Sequence, residues 1–186
     1  MNKTLFYTGK GDRGDTARLG GKNRLSKSDA LLDTVGALDE ATSAIGVARS
    51  LAQDTLLQDV LPEVQRRLSY LMAHLSAVPE LRERYVGLSG ADVIWLEELI
   101  ARLESDIPPL DGFVLPGESP AGAACHLARA IVRRAERRLV ACAEQEPGIG
   151  AANLAFVNRL SSLLFVAALR EDGLAGRVVT STRAGE

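Results

Sequence analysis

Apolar residues recur three and four positions apart in five segments of the chain, and the breaks between segments are rich in proline, glycine and aspartate. That spacing is the signature of amphipathic helices. The first segment runs from Ser28 or Asp29 to about Leu51, with Leu32, Val35, Asp39 and Gly46 on one stripe and Leu38 and Ile45 broadening it. It places the Asp39 carboxylate on the side expected to be buried, where a charge needs a positive partner. Gly36, Ser43 and Gly46 leave room for another helix or subunit to come close. The second segment is predicted to begin at Pro62, carries Val64, Leu68, Leu71, Met72 and Leu75 at helical spacing, and ends or kinks at Pro79. His74 reads there as a packing or boundary residue. The third starts from a capping box, Ser89 with Asp92, and buries Val93, Leu96, Ile100 and Leu103 with Trp95 and Leu99 flanking. The last spans about Ala151 to Arg170, stopped by Asp172-Gly173. It aligns Leu154, Asn158, Phe165 and Leu169, so the Asn158 amide sits among apolar neighbours and must find partners.

The fourth segment, Ser119 to Glu144, organises the rest. Ser119 as N-cap and Pro120 as first helical residue start it well, and no breaker follows until Pro147-Gly148. On a helical wheel Ala121, Cys125, Ala128, Val132, Ala135 and Leu139 fall on one small-residue face. Arg129, Arg133, Glu136 and Arg137 form a stripe beside it, while Arg134 and Arg138 point away. Charges at the border of a buried face suit an anionic ligand better than a merely solvated surface does. The expected fold is all-α: a five-helix bundle with ferritin-like up-down packing. It forms one domain, 1–186, divided into a front loop 1–27, a bundle 28–170 and a tail 171–186.

At 186 residues the chain suffices for one domain with a real core, and its net charge of −2 gives no field for nucleic acid. Positive charge is local: residues 129–138 hold five arginines and one glutamate. A purely solvated basic helix is the competing reading of that run. No run approaches the roughly 20 apolar residues of a membrane span, and the N-terminus has no signal-peptide core, so the protein is expected in the cytoplasm. Cys125 and Cys142 lie on one helix about 25 Å apart, beyond disulfide reach. With His74 and His126 as the only histidines, a zinc site is not expected.

The front loop contains G-x-G-x-x-G at Gly9, Gly11 and Gly14. A dinucleotide fingerprint needs a hydrophobic strand before it and a helix directly after it. Only Leu5-Phe6-Tyr7 precede it, and Gly21-Lys22 fails the P-loop pattern. What is left is a loop dense in backbone N–H groups, with Lys10, Lys22 and Lys27 nearby, of the kind that wraps phosphates; a disordered tail is the alternative. Phe113-Val114-Leu115 stand between prolines and glycines just before the fourth helix, either as a core anchor or as a ligand contact.

Four blocks of residues, in order, resemble the PduO-type ATP:cob(I)alamin adenosyltransferase family over nearly the whole chain. They are Tyr7-Thr8 through Gly14 with Ser26-Lys27 and Asp29; Gly36 through Asp39-Glu40 to Ile45-Gly46; Phe113 through Arg129, Arg133, Arg134, Glu136 and Arg137; and Asn158-Arg159-Leu160-Ser161 with Leu164-Phe165. The resemblance implies a homotrimer with active sites between subunits, ATP and cobalamin as substrates, and Mg²⁺. Cob(I)alamin attacks the 5′ carbon of ATP and expels triphosphate, giving adenosylcobalamin. No protein nucleophile is required, in keeping with the lack of a Ser/His/Asp or Cys/His set, whereas orientation and charge neutralisation are.

By the same resemblance residues 1–27 are the nucleotide-binding loop, with Thr8, Gly9, Lys10, Gly11, Asp12, Gly14 and Lys27 around the triphosphate. Arg133, Glu136, Arg137 and Asn158 complete the ATP site, with Glu136 toward the metal. Asp39 corresponds to the residue that pairs across the interface with Arg129, and Phe113 to the ring that crowds the lower face of cobalt. A reductase and an adenosylcobalamin-dependent enzyme follow as partners. The chain departs from the family in reading Gly9-Lys10 where Arg or Lys then Thr is usual, in Asp39-Glu40-Ala41-Thr42-Ser43 for Asp-Glu-Leu-Asn-Ser, and in a short tail without late aromatics. Two other readings are kept. A binding or delivery protein of the same fold predicts ATP binding without turnover, and a helical interaction module predicts no response to ATP.

Overall fold

A computed structural model describes residues 7–110, 112–178 and 180–182; Leu5, Phe6 and the end of the tail lie outside it. A hairpin of β1 (Asp15–Ala17) and β2 (Arg24–Ser26) leads into α1 (Ala30–Leu51) and α2 (Thr55–Ser76). After a 3-10 turn at Pro79–Leu81 come α3 (Gly90–Glu104), β3 (Phe113–Val114), α4 (Pro120–Gln145), α5 (Ala151–Leu174) and β4 (Ser181–Thr182). The all-α five-helix bundle is as expected. Its helices pack in the order α2, α1, α4, α5, α3. They alternate in direction along the chain, so α3 and α5 run parallel, joined by Glu97 to Arg159 near one end and Asp106 to Arg170 near the other.

Local signals start the helices where the residues say. Asp29 caps α1 through the Leu31 amide at 2.9 Å, Ser119 caps α4 through the Gly122 amide at 2.9 Å, and Ser89 and Asp92 form the capping box of α3. The small-residue face of α4 is buried throughout: Cys125, Ala128, Ala135 and Leu139 have no exposure at all. Both cysteines are free and buried, and burial beside Glu171 and Asp172 pushes the Cys125 thiol up to about 12, which leaves it an inert packing group. His74 is a boundary residue as expected, its Nδ1 2.7 Å from the Tyr85 carbonyl.

Several expectations are overturned. Helix α2 begins at Thr55, not Pro62, because the Asp54 side chain accepts the Leu56 and Leu57 amides at 2.8 and 3.2 Å. Pro62 is then inside the helix, its missing N–H outweighed by burial of Leu57, Val60, Leu61 and Val64. Burial alone would raise the Asp54 carboxyl, yet the Arg170 guanidinium and the two capping amides together hold it below the usual carboxylate range.

Helix α5 passes through Asp172-Gly173 to Leu174, so the bundle extends beyond residue 170. Two buried carboxylates explain this. Glu171 accepts the Gln53 amide at 3.0 Å and the Asp54 amide at 3.1 Å, and Asp172 accepts the Ser119 hydroxyl at 2.7 Å. Each sits at the positive N-terminus of a neighbouring helix, α2 for the first and α4 for the second. Helix α5 has the length and composition of a membrane span, but 61 % of that apolar window is buried in the bundle: it is the core helix.

The phase assigned to α1 is also corrected. Its buried face is Leu31, Thr34, Ala37, Leu38, Ala41, Ile45 and Ala48, and Asp39 is exposed on an outward strip with Ser43 and Val47. Arg134 and Arg138 do not point away; they pair with Glu40 and Asp33 of α1. Asn158, expected among apolar neighbours, is exposed, and the buried amide of α5 is Asn153, which accepts the Leu88 amide at 2.8 Å.

Candidate active site between the fourth and fifth helices

The arginines of α4 divide by their partners. Arg134 and Arg138 are neutralised by α1, whereas among the described residues neither Arg133 nor Arg137 has a carboxylate partner. These two line a cleft of about 340 Å³ together with Glu136, Val140 and Asn158. The antiparallel packing of α4 and α5 makes the cleft: Asn158 donates from Nδ2 to Glu136 Oε1 at 2.7 Å, and Arg137 donates to the Arg133 carbonyl at 3.0 Å. Arg159, missed as a site residue by sequence reasoning, fixes the Asn158 carboxamide by donating to its Oδ1 at 2.8 Å. Arg159 is itself held by Glu97 of α3 at 2.9 Å. Two guanidinium groups without a carboxylate partner among the described residues, beside one carboxylate in a cleft, have the chemistry to receive a polyanion.

A larger pocket of about 780 Å³ adjoins it, walled by Ile100, Ile107, Leu110, Phe165 and Leu169, with Arg129 and Arg133 among the lining residues. Arg133 therefore belongs to both compartments. Arg129 stands over the Phe165 ring, 5.9 Å from its centroid, and its Nε is buried without a hydrogen-bond partner. Asp39 lies elsewhere on the chain's surface, with no ion pair among the described residues, so a single copy does not bring it to Arg129.

The front loop is ordered by its own contacts. Gly9 and Gly14 take positive φ, 68° and 78°, which gives the turns their shape. Lys27 donates from Nζ to the Gly11 carbonyl and from its amide to the Gly14 carbonyl, both at 2.8 Å. Arg24 donates to the Lys10 and Asp15 carbonyls and to the Asp15 carboxylate. Thr8, Gly9, Lys10, Asp12 and Gly14 are exposed. Lys27 thus holds the loop at Gly11 and Gly14, and no hydrogen bond among the described residues ties the loop to Arg133, Glu136, Arg137 or Asn158. Its base is fastened by Arg18, which donates to the Leu75 and Ala77 carbonyls at 3.2 and 2.7 Å and shares Glu146 with Arg82. Nothing in the spacing of the sequence singled out Arg18.

Phe113 is 73 % exposed, on the short ladder that β3 forms with β4. It is not a core anchor. Among the described residues no group of three or more His, Cys, Asp or Glu side chains is placed to bind a metal ion.

A helical bundle with a glycine-rich front loop and an arginine-lined cleft beside an apolar pocket is an architecture shared with known enzymes. The chain belongs to the cobalamin adenosyltransferase family, which it matches over residues 6–171. It is 38% identical over 170 residues to the corrinoid adenosyltransferase of Mycobacterium tuberculosis H37Rv, covering 89% of this chain and 88% of that one. It is 35% identical over 170 residues to the corrinoid adenosyltransferase PduO of Salmonella typhimurium, covering 90% of this chain and 49% of that protein, so it spans about half the length of this relative. Among solved structures it resembles a phenylalanine-to-alanine variant of the PduO-type ATP:corrinoid adenosyltransferase of Lactobacillus reuteri, complexed with cobalamin and ATP. The two superpose with a TM-score of 0.86 at 32% identity, over 96% of this chain and 99% of that one.

Proposed function

We infer that the protein transfers the 5′-deoxyadenosyl group of ATP to cob(I)alamin, giving adenosylcobalamin and triphosphate. The observation that carries this reading is the position of Arg133, shared by the polyanion cleft and the apolar pocket. A reaction that joins an apolar macrocycle to the carbon next to a triphosphate needs those two compartments side by side. Triphosphate lies in the cleft toward Arg133 and Arg137, which have no carboxylate partner among the described residues, and the corrin lies toward Phe165, Leu169 and Arg129. Cobalt(I) supplies the electron pair of the new Co–C bond, and the C5′–O bond breaks with its pair going to triphosphate. The protein's part is to align the two reactants and to stabilise the departing charge.

Mg²⁺ fits this site as an ion carried with the nucleotide, since it binds through one or two carboxylates plus substrate phosphates. Glu136 is the carboxylate that would hold it, and its charge would help neutralise the leaving group. Asn158 and Arg159 orient Glu136. The front loop, with Lys27, Lys10 and the amides of Gly9 to Gly14, takes the triphosphate from the other side. Because no hydrogen bond among the described residues ties loop to cleft within one copy, we assign them to adjacent subunits of a homotrimer. An aromatic held out on β3 rather than in the core suits Phe113 to the lower face of the corrin. The cytoplasm supplies the ATP, a reductase the cob(I)alamin, and an adenosylcobalamin-dependent enzyme receives the product.

The outward strip of α1 is the surface for the second copy. Asp39 has no ion-pair partner among the described residues and Arg129 keeps an unpartnered Nε, and we assign the two to a pair across the interface. Asp39→Ala is expected to weaken assembly or corrinoid binding, and Asp39→Arg combined with Arg129→Asp to recover part of the loss. Sedimentation and activity unchanged in Asp39→Ala would exclude the pairing.

The reading as a whole is tested by mixing the protein anaerobically with ATP, Mg²⁺ and chemically reduced cobalamin. The absorbance should pass from cob(I)alamin to adenosylcobalamin as triphosphate appears. ATP-dependent thermal stabilisation without that change would mark a binding protein, and neither signal would leave only the fold in common.

A further inference from the structure

His126 is 3 % exposed, and neither of its ring nitrogens has a hydrogen-bond partner. An imidazole buried in this way loses its hydration without recompense, a cost that leucine or phenylalanine in the same space would not incur. Its surroundings indicate what is gained. The ring meets the edge or face of Phe165 at 5.8 Å between centroids and 69° between planes, a T-shaped contact. The same Phe165 ring carries the Arg129 guanidinium, 5.9 Å from its centroid. Phe165 and Arg129 are both walls of the apolar pocket, whereas His126 is not. His126, Phe165 and Arg129 therefore form a row across α4 and α5 in which Phe165 and Arg129 line the pocket and His126 lies behind Phe165.

We propose that His126 is a positioning residue that, through Phe165, sets Arg129 on the wall of the corrinoid pocket, and that it does so as the neutral imidazole. The proposal rests on the assignment of that pocket to the corrinoid. The charged groups that face the ring are Arg129 on its own helix and Asp172 on α5. Burial first, and Arg129 second, hold the His126 pKa below the ordinary imidazole value, while Asp172 opposes them. The ring is thus uncharged at neutral pH. A proton added in acid would set a second cation beside Arg129 and drive the guanidinium from the Phe165 face. A group with a depressed imidazole pKa keeps the neutral form through neutrality and loses it only as the pH falls through that lowered value.

The test is the KM for reduced cobalamin and for ATP, measured separately from about pH 5 to 8, on the protein and four variants. In the unmodified protein the corrinoid KM should rise on the acid side while the ATP KM stays flat. His126→Phe keeps an aromatic ring that takes no proton, and should abolish that acid limb. His126→Ala should raise the corrinoid KM about tenfold at every pH, the size of one cation–aromatic contact, with the ATP KM unchanged. Phe165→Leu should give a similar rise, and adding His126→Ala to it should produce little more, because both act through one ring. An acid limb retained in His126→Phe, or equal changes in both KM values, or additive effects in the double variant, would overturn the proposal. Adenosyl transfer absent from the unmodified protein at pH 8 would overturn the corrinoid assignment instead.

Discussion

Arg133→Ala is expected to lower the rate of adenosyl transfer about 10²–10³-fold, the loss typical of removing one group aimed at charge that develops in a transition state. Arg133 alone lines both compartments of the site among the residues assigned to ATP. Its guanidinium is exposed and lacks a carboxylate partner among the described residues, so its charge is free for the triphosphate. The fold does not depend on it: truncation of an exposed side chain outside the ion-pair network should change stability by no more than about 0.5 kcal/mol. Arg133→Lys keeps the charge and loses the planar fork, and should fall between the two. Single-turnover rates with saturating ATP decide the matter. A variant whose kcat is intact and whose ATP KM alone has risen would mean that Arg133 binds ground state and transition state equally.

The sequence made some of this legible and hid the rest for physical reasons. Helix α4 could be read almost to the residue because its signals are local: the Ser119 cap, Pro120 in the first turn and one unbroken face of small residues. The four charges beside that face were legible as a candidate site for the same reason. Local pattern could not say which of two comparable faces of α1 meets the bundle. Ala37, Ala41 and Ala48 turned out to be core, and the stripe containing Asp39 was left outside. Asn158 was misplaced likewise, since a wheel gives the phase of a helix but not the position of its neighbours.

Long-range contacts account for the other misses. Pro62 and Asp172-Gly173 read as stops, yet both are absorbed by helices held from elsewhere: α2 by the Asp54 cap and its apolar face, α5 by carboxylates seated on two other helix ends. The β3–β4 ladder joins residues 113–114 to 181–182, and Arg18 reaches Glu146 across 128 positions. No window of local sequence contains both partners of such a contact. The resemblance to a family supplied candidate site residues because it carries positions, whereas the contacts of Arg159, Arg18 and His126 emerged only from the packing.

Gly122→Ala is expected to be among the most destabilising single-methyl changes in the chain, against the usual preference of helices for alanine. A Cβ at Gly122 would lie 2.0 Å from Asp172 Oδ1 and 2.6 Å from its Cγ. These are not the ends of a mobile side chain. Asp172 is fully buried, its Oδ1 accepts the Ser119 hydroxyl at 2.7 Å, and its carbonyl accepts the Arg177 amide at 2.9 Å. Ser119 in turn caps α4 through the Gly122 amide, so moving the carboxylate disturbs the start of the helix that carries the site. Alanine would contribute about 1 kcal/mol of helix propensity. Overpacking at a rigid neighbour, with the loss of a buried hydrogen bond, costs about 3 kcal/mol or more. The second effect wins, and for a chain of this size the Tm should fall by roughly 4–8 °C. Shortening the neighbour separates the causes: Gly122→Ala combined with Asp172→Ala should cost clearly less than the sum of the two single changes. A Tm that stays level or rises in Gly122→Ala would show that α4 and α5 can move apart at this crossing, and that the small residue there is not what sets their distance.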